Sequence, residues 1–336
     1  MSYCWRILVL FLAVGWGTVA FAQAGPKQSS NAPPFVRQFS AAEDVRRTHP
    51  VVDKTLKVVA GPKEEATKEE VLQSPFAVAA DASHRVFVLD SGSRSVHVFD
   101  FGRNKYELMA GGDRLQSPAG IAADDAGNVY VTDRNSRSVL VFDSKGKFSR
   151  ELMRSGNESY FEAPRGIAIH NKSGRLYVCD APRGMVIILD QHGNVVGRIG
   201  KRGGGKNPGE FRNPTQVAVA GDEVFVLDAG NYRIQIFDLQ GHFRREIPVV
   251  DADAQTGVAT DGAGNLYVSY RVTNQIEVWN RGGQSLYRFG QAGQEPGKFN
   301  APTGLWIEAG CLYVADTGNK RVQEFQIGGQ RAAKCN

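Results

Sequence analysis

Leu312-Tyr313-Val314-Ala315-Asp316-Thr317-Gly318-Asn319-Lys320-Arg321-Val322-Gln323 reads as a short apolar strand ending in an acid, a five-residue turn and the start of a second strand. The phrase recurs upstream as Phe87-Val88-Leu89-Asp90, Tyr130-Val131-Thr132-Asp133, Tyr177-Val178-Cys179-Asp180 and Phe225-Val226-Leu227-Asp228. A further copy, Tyr267-Val268-Ser269-Tyr270, carries tyrosine in place of the acid. Successive copies lie 43, 47, 48, 42 and 46 residues apart. A period of about 45 residues is the mark of a propeller or solenoid repeat.

Each copy belongs to a longer unit. Upstream lies a strand of the type Pro118-Ala119-Gly120-Ile121-Ala122 or Pro164-Arg165-Gly166-Ile167-Ala168. Downstream, beyond the turn, comes a β-branched alternating strand such as Val139-Leu140-Val141-Phe142 or Ile234-Gln235-Ile236-Phe237. A Gly-containing turn then leads to a fourth strand, as in Leu286-Tyr287-Arg288-Phe289. Alternation and β-branched enrichment argue for strands. The 38 glycines among 336 residues suit many tight turns. The expected fold is all-β: a six-bladed β-propeller of four-stranded antiparallel blades. Blade six runs out near Ile327 without its outer strand. Leu56-Lys57-Val58-Val59-Ala60-Gly61 resembles the outer strand Tyr106-Glu107-Leu108-Met109-Ala110-Gly111, so residues 55–60 are expected to close the ring as an N-terminal strand.

On these residues the chain resembles the NHL-repeat family. The last blade carries the signature, and the glycine-rich lead-in occurs as Gly290, Gly293, Gly297, Phe299 and Pro302, and again as Gly200, Gly203, Gly209, Phe211 and Pro214. The resemblance covers about residues 55 to 327 and implies the fold more than the function. The family holds binding modules, scaffolds and a few lyases, and a shared fold does not specify chemistry.

The N-terminus reads as an export signal: Arg6, an apolar run from Ile7 to about Ala22, and small residues around Ala24. Cleavage is expected after Ala24, with an uncleaved N-terminal anchor as the alternative. Residues 25–50, rich in Pro, Ser and Ala, read as a flexible leader, 51–330 as the propeller and 331–336 as a tail. A periplasmic or secreted monomer without a lasting membrane span follows. Export argues against a nucleic-acid partner. It permits a disulfide between Cys311, at the start of a second strand, and Cys335, on a tail able to fold back; free thiols are the alternative. Cys179, beside Asp180 within a strand, reads as a buried, inert thiol.

Catalytic signals are sparse. The six histidines are scattered among different blade positions, so no metal site or other cofactor is expected. No Gly-x-Ser-x-Gly elbow or phosphate loop occurs. The strand-end acids recur at one blade position, which points to a structural role. Tyr270 departs from the repeat and is a candidate ligand contact. The second-to-third-strand turns hold eight bases, Arg94, Arg134, Arg137, Arg183, Arg233, Arg271, Lys320 and Arg321, and no acid. The connections on the same face add Arg165, Lys201, Arg202, Lys206 and Arg212, although the first connection also carries Glu64, Glu65, Glu69 and Glu70. Opposite lie Asp81, Asp124, Asp125, Asp222, Glu223, Asp261 and Glu308. A polarised ring with a formal charge of only +5 points to electrostatic binding of an anionic partner, a protein, an acidic glycan or the envelope surface. The reading is a non-enzymatic binding or scaffold module. Its alternative is a metal-dependent lyase or lactonase working in the central channel.

Overall fold

A computed structural model describes residues 31–46, 70–109, 114–155, 158–249, 255–327 and Cys335. The expected signal segment 1–24 and residues 55–60 lie outside them. Six four-stranded antiparallel sheets form the blades. Blades one to five occupy residues 75–109, 118–152, 164–200, 214–248 and 255–289. Blade six contributes 302–326. The six innermost strands pack side by side in a ring.

The closing strand is N-terminal, but it is Phe35–Phe39. This strand pairs antiparallel with Arg321–Gln326, Gln38 opposite Gln323 and Phe39 opposite Val322. It therefore takes the place expected for residues 55–60, and part of the segment read as flexible leader is a strand. The reason is side-chain pattern. Phe35, Arg37 and Phe39 alternate with Val36 and Gln38, and Phe39 is buried against Phe99 and Phe101 of blade one, at 4.7 and 5.0 Å between ring centroids. Arg37 pairs with the buried Glu324 and lies 4.0 Å over the Phe101 ring. The strand thus completes blade six and staples it to blade one.

Burial explains why the outer strands alternate most clearly. Most residues of the three inner strands of a blade are covered by neighbouring blades, whereas outer strands such as Lys105–Met109 alternate between exposed and shielded residues. Adjacent inner strands belong to different sheets, so other contacts join them. Hydroxyls do part of this: Thr132 Oγ1 donates to the Arg165 carbonyl at 2.5 Å, Ser269 to Thr303 at 2.6 Å, and Thr303 to Phe76 at 2.7 Å. The glycine at the third position of the lead-in strand allows the approach. A Cβ on Gly257 would sit 2.1 Å from the Thr303 carbonyl oxygen, and one on Gly120 would sit 2.5 Å from that of Arg165. Both contacts are with backbone, so any side chain there pushes two blades apart.

His97, on the third strand of blade one, is fully buried and hydrogen-bonds through Nδ1 to Tyr106 Oη at 2.9 Å. Burial pulls its pKa from 6.5 down to about 4, despite the opposing charge of Asp90. Between those values the unfolded chain binds a proton that the folded chain refuses. Stability therefore falls as pH drops from 6.5 toward 4, by on the order of 3 kcal/mol for this group. Urea unfolding of His97→Gln should show a shallower loss over that window than wild type. Phe39→Ala should cost about 3–5 kcal/mol and lower the melting temperature by roughly 6–20 °C. An unchanged melt would overturn the assignment of the closing strand.

Candidate binding face and channel mouth

The strand-end aspartates build the face on which the candidate site lies. All five are fully buried. Asp90 accepts the amides of Gln73 and Ser74 from the incoming connection, and of Gly92 and Ser93 from its own turn. Asp133 takes the equivalent set, Gln116, Ser117, Asn135 and Ser136. Blade three has Pro182 at the first of these turn positions, which offers no N–H. Asp180 keeps the amides of Glu162 and Ala163 and draws Arg183 in, with Nε at 3.4 Å, while burial raises its carboxyl pKa. In blades four and six, side chains replace the turn amides. Asn231 and Arg233 serve Asp228, and Asn319, Arg321 and Gln323 serve Asp316.

Three of the expected ligand-binding bases are therefore part of the scaffold. Arg233 and Arg321 are buried and tie the aspartate to carbonyls of the lead-in loop, Glu210 for one and Gln294 and Lys298 for the other. Arg183 donates to the carbonyls of Ser159 and Tyr160. Tyr270 also needs correction as a ligand contact. It is fully buried, its hydroxyl donates to buried Glu277 at 2.6 Å, and Arg288 lies 5.2 Å over its ring. Its partner across the strand pair is Gln255, where other blades pair the strand-end aspartate with the lead-in proline. The two departures of blade five are thus one cross-strand substitution. The opposite face is also less charged than its composition suggests, because Asp81 pairs with Arg85 and Glu223 with Arg245 and Arg281.

The remaining bases are Arg94, Arg134, Arg137, Arg165, Arg271 and Lys320. Arg94, Arg137 and Lys320 hold the fourth position of their turns, with φ of 53°, 57° and 55°. Gly184, Tyr232 and Asn274 hold the same place in the other blades, also with positive φ. This left-handed backbone costs a side-chain-bearing residue about 1–2 kcal/mol. Arg94, Arg134, Arg137, Arg271 and Lys320 are exposed, and no ion pair or side-chain hydrogen bond joins them to a described residue.

At the centre of this face the channel opens into a cavity of about 580 Å³ lined by Arg134, Arg165, Arg271, Thr215, Phe76 and Tyr232. The far end holds a smaller cavity, about 170 Å³, walled by Ile121, Ile167, Val217, Val258, Leu305 and Trp306. Trp306 reaches across the channel, packing against the cores of blades one to three. Tyr232 and Trp306 were not among the expected site residues. Yet Trp306 stands where the other inner strands carry Ala79, Ala122, Ala168, Ala218 and Ala259, a visible departure from the repeat.

Cys311 and Cys335 are joined by a disulfide, with Cα atoms 5.7 Å apart. Glu324 lies beside this bridge, in the only grouping of three Cys, His or carboxylate side chains among the described residues, and the disulfide leaves neither sulfur free as a thiolate ligand. Cys179 is buried, and burial pushes its thiol pKa well up. No helix among the described residues is long and apolar enough to cross a membrane.

Fold and face together define a six-bladed β-propeller with a basic channel mouth. Known proteins agree on the class: a six-bladed beta-propeller family matches residues 158–271, and the NHL repeat matches residues 115–142. NHL repeat-containing protein 3 of Mus musculus is 33% identical over 132 residues, a match spanning 39% of this chain and 27% of that protein. Among solved structures, a gluconolactonase from Xanthomonas campestris superposes with a TM-score of 0.59 at 14% identity, covering 76% of this chain and 87% of that one. A chain of a nidogen/laminin complex superposes with a TM-score of 0.57 at 20% identity, covering 75% and 92%. At these identities the structural likeness speaks for the fold alone.

Removing Arg233, which leaves Asp228 buried with one cation fewer, should cost about 3–5 kcal/mol. Removing the exposed Arg134 should change stability by no more than about 0.5 kcal/mol. Chemical denaturation of Arg233→Ala and Arg134→Ala measures both.

Proposed function

We propose that this chain is an exported, non-enzymatic binding or scaffold module that receives an acidic protein surface on its face of second-to-third-strand turns. The observation that carries the reading is the trio Arg94, Arg137 and Lys320. Each holds a long cationic side chain at a backbone position where Gly184 shows that none is required by the turn. Exposed charges with no partner among the described residues favour an oppositely charged surface and quicken its approach. The nidogen/laminin neighbour adds that this fold occurs in a protein–protein complex. The rival reading, a lyase or lactonase in the channel, draws on structural neighbours such as the gluconolactonase, whose likeness concerns the fold.

The triple variant Arg94→Gly, Arg137→Gly, Lys320→Gly separates function from folding. Its stability should stay within about 1 kcal/mol of wild type per site, because relief of backbone strain offsets the greater freedom of glycine in the unfolded chain. Its affinity for immobilised poly-glutamate should fall at least about tenfold. Wild-type binding should weaken between 0.1 and 1 M salt, as the screening length shrinks from about 10 to about 3 Å. Retained affinity in the folded variant, or preference for heparin or anionic vesicles over poly-glutamate, would count against an acidic protein as the partner.

A further inference from the structure

The channel mouth differs from the surrounding face. Arg165 rises from the inner strand of blade three, Arg134 from the turn of blade two and Arg271 from that of blade five. Three guanidinium groups thus approach one cavity from different sides, with no carboxylate in its lining. Burial and the charge of Arg134 both disfavour the Arg165 cation. Two donors of lining residues, Arg165 Nε and Thr215 Oγ1, are buried and have no partner among the described residues. A buried donor left unmatched is costly to the fold. Thr256, which also lines the cavity, is by contrast satisfied, donating to the Pro302 carbonyl at 2.9 Å. Phe76 and Tyr232 add aromatic surface to the wall.

We infer that the channel mouth is a binding site for a small organic polyanion, a compound with at least two carboxylate or phosphate groups on a short carbon frame. The inference deepens the proposed anionic recognition on this face, but it uses a different set of residues. Size excludes nothing smaller, but about 580 Å³ is within the range of sites for metabolite-sized ligands, roughly 300–1,000 Å³. Charge decides the valence: three cations, from blades two, three and five, exceed the charge of any single carboxylate or phosphate group. Guanidinium groups match carboxylate and phosphate oxygens with paired N–H donors. The aromatic rings suit the carbon frame. The Arg165 guanidinium and, after a turn of its rotamer, the Thr215 hydroxyl meet the ligand at depth, with Arg134 and Arg271 at the rim.

Isothermal titration calorimetry of the full chain with citrate and with pyrophosphate tests this, with glucose as the uncharged control. Citrate should bind with saturation and raise the melting temperature by mass action. Arg165→Gln should weaken citrate at least about tenfold, a loss of about 1.4 kcal/mol. It should not destabilise the fold, because it removes a buried, crowded charge. Thr215→Val, near-isosteric, should weaken citrate less but measurably, and it supplies the test should Arg165→Gln fail to fold. Lys145→Gln, in a third-to-fourth-strand turn outside the cavity, should leave citrate affinity unchanged. Binding of both anions weaker than about 1 mM, or equal citrate affinity in the folded Arg165→Gln and Thr215→Val variants, would overturn the inference. Loss of poly-glutamate binding in the Arg94, Arg137, Lys320 variant with citrate binding intact would separate the two sites.

Discussion

A fully buried carboxylate at the end of the second strand holds this ring in shape. In Asp90 and Asp133 it accepts amides from the incoming connection and from its own turn, so that one side chain fixes both backbone segments on the same face. Burying a charge is costly unless every lone pair finds a donor. The surrounding sequence can be understood as a search for those donors. Where Pro182 removes an amide, Arg183 comes in. Where the turn changes shape, Asn231 and Arg233, or Asn319 and Arg321, take over. The basic composition of these turns is partly a consequence of the aspartates, and only what is left over is available to a partner.

That division was only half legible in the sequence. The period, the strand pattern and the blade count could be read from spacing alone, since a repeated unit shows itself by recurrence. The conformation of each base could not. Arg233 and Arg137 stand in equivalent turns and differ by one position, yet one faces inward to Asp228 and the other stands on left-handed backbone toward solvent. Register, not composition, decides this. Tyr270 looked like an adaptation to a ligand because it broke the repeat. Its opposite number Gln255 breaks it too, and a paired change across one ladder is what a locally repacked strand end requires.

Two signals were present but unread. Phe35-Val36-Arg37-Gln38-Phe39 alternates as an outer strand should, but its Pro- and Ser-rich surroundings suggest a linker, and residues 55–60 look more like an existing outer strand. Trp306 sits in the sixth copy of a motif whose other copies place alanine there. One large side chain among five small ones breaks the sixfold sameness of the channel and leaves two unequal cavities, the wider one on the basic face.

The closing strand makes the order of assembly matter. Arg37 and its partner Glu324 are 287 residues apart in sequence. Blades one to five can form from local hairpins as the chain emerges, because each sheet is contiguous in sequence. The sixth cannot be finished until the last strand has been made, which at ribosomal speed takes roughly 15–60 s after Arg37 appears. During that interval Phe39 lacks its final place, and blade one lacks the ring that covers Phe99 and Phe101. Closure of so long a loop is slow and carries an entropic cost set by the whole ring. A chain interrupted before residue 321 therefore leaves Phe35–Phe39 without the strand it pairs with, and the edge of blade six stays open.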